Sequence, residues 1–168
     1  MSSRLPRPVA GSSALLVAVT ILAGCGGSGG GKPAQHLAGP GFRFDAPGGW
    51  RVTRGQGRVT AGSNAELVQV SSFRLLKPYS QSLFTKVAKE LRLRMAAVAD
   101  QTGGKLAGSQ IVTAGGLRAH SFRVRAGPRL DEYTFVLRGR REYQLLCRRN
   151  AASGADVCRE LLRTFAIV

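Results

Sequence analysis

Carboxylates are scarce in this chain: nine Asp and Glu stand against 25 Lys and Arg, for a formal net charge of +16. Adjacent acids occur once, at Asp131-Glu132, and that pair falls in a strand pattern. Neighbouring strand side chains point to opposite faces, so the two cannot act as a joint acid and base. Histidine is scarcer still, with two in the chain, and His120 is the only one in the part read as folded. A Ser-His-Asp arrangement needs a nucleophile on a strained turn and an acid to orient the base. Ser71, Ser72 and Ser121 all sit inside strand patterns, and no Gly-x-Ser-x-Gly occurs. His120, between Ala119 and Ser121, therefore reads as a structural or exposed residue. Three cysteines with no third ligand near Cys147 and Cys158 exclude the usual zinc spacings, and neither metal nor cofactor is expected. Phosphate loops fail as well. Gly103-Gly104-Lys105 has Ala99 where the first glycine of a P-loop belongs and Leu106 in place of Ser or Thr.

A long hydrophobic run is also missing. The most apolar stretch, Ala14 to Ala23, is half the roughly 20 residues a spanning helix needs. It follows Arg4 and Arg7 and runs into small residues before a cysteine, the layout of a signal peptide. Arg4 and Arg7 are not adjacent, so the twin-arginine route is not indicated. Leu22-Ala23-Gly24-Cys25 resembles the lipobox of bacterial lipoproteins. The resemblance implies cleavage before Cys25 and a lipidated Cys25 as the new N-terminus, with two or more acyl chains, the number stable anchoring takes. An ordinary signal peptide with an incidental Cys25 is the alternative. Residues 1–24 are read as leader and 25–40 as tether, with Gly26 to Gly31 a flexible Gly/Ser tract. No strand precedes these glycines, so they are not a phosphate cradle. His36 in the tether is read as solvated and idle.

Without the leader the chain keeps a charge of about +14, which fits an anionic partner. Export makes nucleic acid a poor candidate and leaves anionic lipid, an acidic wall polymer or an envelope protein. Twenty of the 25 basic residues are Arg, and together with abundant Ala and Gly this also fits a high-GC codon bias.

Residues 41–168 are long enough for one core. Phe42-Arg43-Phe44 alternates, Ala46-Pro47-Gly48-Gly49 turns the chain, and Trp50 to Arg54, Arg58 to Ala61 and Glu66 to Leu75 follow as strands, with Pro78 ending the last. Leu83, Val87, Leu91, Met95 and Val98 recur every three or four residues, widened by Phe84 and Ala88, and predict a helix packed on a sheet. Ser80 stands where an N-cap belongs and Gly103-Gly104 where the helix would stop. Ser109 to Thr113 and Leu117 to Arg125 read as a hairpin across Gly115-Gly116. Asp131 to Leu137 then meets Arg140 to Cys147 across Arg138-Gly139. Ser153 with Asp156 resembles a capping box, opening a helix with the stripe Val157, Leu161, Phe165. The expected class is α+β, an antiparallel sheet with a long central helix and a C-terminal helix packed on it.

The cysteines divide into one for lipid and two for each other. Cys147 ends a strand and Cys158 lies in the first turn of the last helix. A chain doubling back there brings two Cα atoms within bonding reach; two buried thiols are the alternative.

The order of elements resembles the Mog1/PsbP-like fold and, more narrowly, actinobacterial surface lipoproteins built on it. Phe42-Arg43-Phe44-Asp45-Ala46-Pro47-Gly48-Gly49-Trp50, Tyr143-Gln144-Leu145-Leu146-Cys147 and Cys158 to Phe165 carry the resemblance. Such proteins are commonly binding or assembly factors without catalysis, so the resemblance implies a non-catalytic role and brings no active site. An envelope hydrolase is the contrasting function. The candidate anion-binding residues are Arg138, Arg140, Arg141, Arg148 and Arg149 at the two ends of one hairpin, with Arg123 and Arg125 sharing a face of the preceding strand. A solvated sheet face that resists aggregation is the competing reading. Oligomeric state is not legible.

Overall fold

The computed structural model describes residues 32–168; the leader, Cys25 and the glycine tract lie outside the described residues. Residues 32–168 form one compact α+β unit. The strands are β1 (Gln35–Gly39), β2 (Phe42–Ala46), β3 (Arg51–Gly55), β4 (Arg58–Ser63), β5 (Glu66–Tyr79), β6 (Lys105–Ala114), β7 (Leu117–Ala126), β8 (Arg129–Asn150) and β9 (Ala166–Ile167). Helix α1 (Phe84–Gln101) lies between β5 and β6, and α2 (Asp156–Thr164) between β8 and β9. A six-stranded sheet runs in the order β3-β4-β5-β8-β7-β6, and a three-stranded sheet in the order β1-β2-β9. Every pairing is antiparallel.

β8 is extended over all its 22 residues, yet it doubles back. Arg148 holds Asp131, 17 positions away, at 2.8 Å, and the Ala151 amide donates to Pro128 O at 2.7 Å. A straight strand would separate Asp131 and Arg148 by about 56 Å. The bend falls at Gly139, whose φ of 55° is natural for glycine and strained for other residues. The expected hairpin is therefore present. Its first arm pairs with β7 and its second with β5.

Alternation along these arms splits the core in two. On one face Phe122, Val124, Tyr133, Phe135 and Leu146 pack against Leu91, Met95 and Ala99 of α1. On the other, Val68, Val70, Val136, Tyr143 and Leu145 meet Phe42 and Phe44 of β2, Cys158 and Leu161 of α2, and Phe165 just past its end. Helices thus cover opposite faces, and the small sheet shares one face with α2.

Four local expectations need correction. Gln35–Gly39, read as tether, is a strand paired with β2 over its full length. His36 in it is not idle, because its Nδ1 lies 2.7 Å from Asp45 Oδ1. Ser80 does not cap α1; its hydroxyl bonds that of Ser82, and a 3-10 turn (Gln81–Leu83) intervenes. Ser153 does not cap α2 either, since Ala155 holds that position and Ser153 O accepts from Arg149. Past α2, Ala166 and Ile167 pair with β2.

Cys147 and Cys158 are joined, with Cα atoms 5.5 Å apart. The bond ties β8 to α2 across the second core, where both residues are buried. Replacing both cysteines with alanine is expected to lower unfolding free energy by about 3 kcal/mol in urea titration. Reducing agent should have a comparable effect on the unsubstituted chain.

Candidate functional site

The candidate arginines fall into three groups. At the base of the β8 hairpin the charges are spent internally. Arg148 donates from Nε and Nη2 to Asp131 at 2.8 and 3.0 Å, a two-pronged contact, and Arg129 approaches the same carboxylate at 3.4 Å. Asp131 is only 1 % exposed, so its charge depends on these partners. The hydrogen bond to Asp131 also raises the Arg148 pKa, which keeps that guanidinium charged. Tyr133 beside them has its phenol pKa raised by burial first and by Asp131 second. On the other side of the strand, Arg149 meets Glu132 at 3.3 Å and donates to Ser153 O at 2.6 Å, bracing the turn into α2. Asp131 and Glu132 point apart, as neighbours on a strand must.

Arg123 and Arg125 make an uneven stripe. Arg123 is half-buried against the β6 bulge at Gly108, and its Nε is buried with no hydrogen-bond partner. Arg125 is exposed and reaches only Gly127 O, at 3.4 Å. The hairpin tip differs from both groups. Arg138, Arg140 and Arg141 are all exposed. Arg140 donates to Leu76 O at 2.8 Å and Arg141 to Ser72 Oγ at 2.9 Å, neutral acceptors that leave the charges uncompensated.

A groove of about 490 Å³ opens between α1 and the β6–β7 edge. Phe84 and Ala88 of α1, Ile111 of β6 and Phe122 of β7 supply its apolar surface, with Arg92 and Arg118 among the lining residues. Ile111, on the edge strand β6, is 54 % exposed. The Arg118 guanidinium carbon lies 4.7 Å from the centre of the Phe84 ring, a cation–π contact. Arg92 donates to Ser109 Oγ at 2.9 Å. The groove can therefore take a ligand with an apolar body and an anionic head.

His120 is 7 % exposed and stacks on Phe84 with ring centres 4.0 Å apart. Its Nε2 lies 3.0 Å from Phe84 O. A carbonyl only accepts, so Nε2 carries the proton. No carboxylate is among the hydrogen-bond partners of His120 in the described residues, and the contact pins the start of α1 to β7. No cluster of three or more metal-ligating side chains occurs among the described residues.

The sequence pattern places Phe84 and Ala88 in the core stripe, and so misses the groove. Their common signal was the width of that stripe, broader than a single sheet face needs.

Asp131→Asn should cost about 2–3 kcal/mol in urea unfolding, below the usual penalty for breaking a buried pair because Arg148 is partly exposed. Combining it with Arg148→Met should recover part of that loss, since the more buried of the two guanidinium groups is then no longer left unpaired and only Arg129 loses its carboxylate.

No protein-family model matches the chain, and no curated protein matches it either. Solved structures do. A protein of Bacteroides thetaiotaomicron VPI-5482, whose crystal structure was determined at 1.50 Å, superposes with a TM-score of 0.56 at 13% identity, over 79% of this chain. The chain spans about half of that protein, 48% of its length. The solution structure of cyanobacterial PsbP (CyanoP) from Synechocystis sp. PCC 6803 gives a TM-score of 0.58 at 17% identity, covering 88% of this chain and 99% of that one. At such identities the likeness speaks for the fold alone: the fold is PsbP-like.

Proposed function

We propose that the chain is an exported lipoprotein, anchored to the cell membrane through Cys25, whose PsbP-like domain is a non-catalytic binding or assembly module of the cell envelope. The disulfide carries the address. Such bonds persist in oxidising compartments and are rare in the cytosol, and Cys147–Cys158 closes a short loop inside the core. The leader and lipobox-like segment, read from the sequence, point the same way. The PsbP-like fold is compatible with such a role, although a fold by itself assigns none.

The groove is the binding surface in this reading. Arg92 and Arg118 favour an anionic group, and Phe84, Ile111 and Phe122 an apolar stem. His120 serves it by holding the helix start in place.

Intact mass of the membrane-extracted protein tests the anchor. The expected species begins at Cys25, carries acyl mass and gains two hydrogens on reduction; Cys25→Ser should stay uncleaved and unacylated. An unacylated wild-type chain would remove the anchor from this reading. For the groove, titration with dodecyl phosphate should give saturable binding that weakens about tenfold in Arg118→Gln, a loss of ~1.4 kcal/mol. Retention of full affinity there would place the binding surface elsewhere.

A further inference from the structure

We infer that the tip of the β8 hairpin and the adjoining bulge of β5 form a docking surface for anionic lipid, with Leu76 as the side chain that enters the bilayer interface. Only the place where lipid is met rests on the envelope reading above; the surface stands on its own geometry. β5 and β8 pair residue against residue from Leu67↔Arg148 to Arg74↔Arg141, and the next pair is Tyr79↔Gly139. Four residues of β5, from Leu75 to Pro78, therefore lie opposite a single residue of β8, and they bulge from the ladder. A bulge in solvent is normally polar. This one presents Leu76 at 93 % exposure, with Phe73 at 49 % close by.

A lone exposed leucine is ordinary. Its surroundings are not. Arg74 and Lys77 flank it on β5, Arg140 bonds its carbonyl from the hairpin, and Arg138 and Arg141 lie on either side of Gly139-Arg140 in the chain; all five are exposed. The one carboxylate on these segments, Glu142, is 8 % exposed and held by Arg94 at 2.8 Å. Asp131 and Glu132 lie at the opposite end of the hairpin and Glu66 at the far end of β5, so acids are drawn away from the tip. The contact between Arg140 and Leu76 O fixes the bulge in shape beforehand, which lowers the ordering cost of docking.

An exposed apolar residue on a segment rich in exposed cations matches the boundary between lipid phosphates and acyl chains. A protein partner fits less well, because the centres of protein interfaces are depleted in charge. A second copy of this chain would bring one cluster of cations against another.

The test uses the chain from Gly26 onward, which keeps the whole compact unit and lacks the lipidation site. Sedimentation with phosphatidylcholine vesicles, with and without phosphatidylglycerol, should show binding to the anionic vesicles alone, weakening as salt rises. Leu76→Ser should reduce the partition coefficient about tenfold, given the apolar surface it removes from the interface. Arg138→Gln and Lys77→Gln should each reduce it about fivefold, the equivalent of ~1 kcal/mol per charge near an anionic surface. All three side chains are exposed, so the urea midpoint should stay put and separate lost docking from lost folding. Absence of binding, equal binding to neutral vesicles, or an unaffected Leu76→Ser variant would overturn the inference. So would a dimer in analytical ultracentrifugation that Leu76→Ser disperses. The assayed chain has no Cys25, so failure of the anchor leaves this result intact, and absent vesicle binding leaves the anchor intact.

Discussion

Both faces of the β8 hairpin must be covered at once, and the architecture follows from that requirement. Its arms lie at the middle of the six-stranded sheet, and Phe135 and Val136 are buried on opposite faces with no exposed surface. Covering one face takes α1, placed there by Leu91, Met95 and Ala99. Covering the other takes α2 and the small sheet together, because Leu37, Phe42 and Phe44 complete what Leu161 and Phe165 begin. The disulfide then secures α2 to the strand it shields. Strands further from the hairpin, β3 and β6, are partly exposed, and their side chains are correspondingly polar.

Charge follows a different logic from packing. The hairpin carries arginine at both ends, but its base is neutralised by Asp131 and Glu132 while its tip has only neutral acceptors. Identical residues thus do two jobs on one element. At the base, guanidinium groups satisfy carboxylates in a low-dielectric setting and so fix the turn toward α2. At the tip they remain hydrated and leave a local positive potential.

The strands of the central sheet and the long helix were legible because their signals are local. Alternation in Tyr133-Thr134-Phe135 and the spacing of Leu91 and Met95 depend on near neighbours alone. β1 was not legible, since Leu37 is its one fully buried side chain and its extended form comes from pairing with β2. Neither helix cap was legible either, because α2 begins past Ser153, with Ala155 at its cap, and a 3-10 turn separates Ser80 from α1. The groove brings Phe84 beside His120, 36 positions apart. The tip depends on a bulge whose position is set by where β5 loses register with β8. Arginine composition raised the question of a binding surface, and only the fold separates spent charges from free ones.

The ordering of elements has a kinetic side. The face built on β2 is sealed by α2 and β9, which follow every other strand in the chain. Phe165, in direct ring contact with Tyr143, and Ile167, paired with Phe42, reach the core only after everything upstream has emerged. A chain threaded through a membrane pore N-terminus first therefore cannot close this domain part-way. Cys147 stays without its partner until the first turn of α2 is through, and the core stays open until β9 has followed.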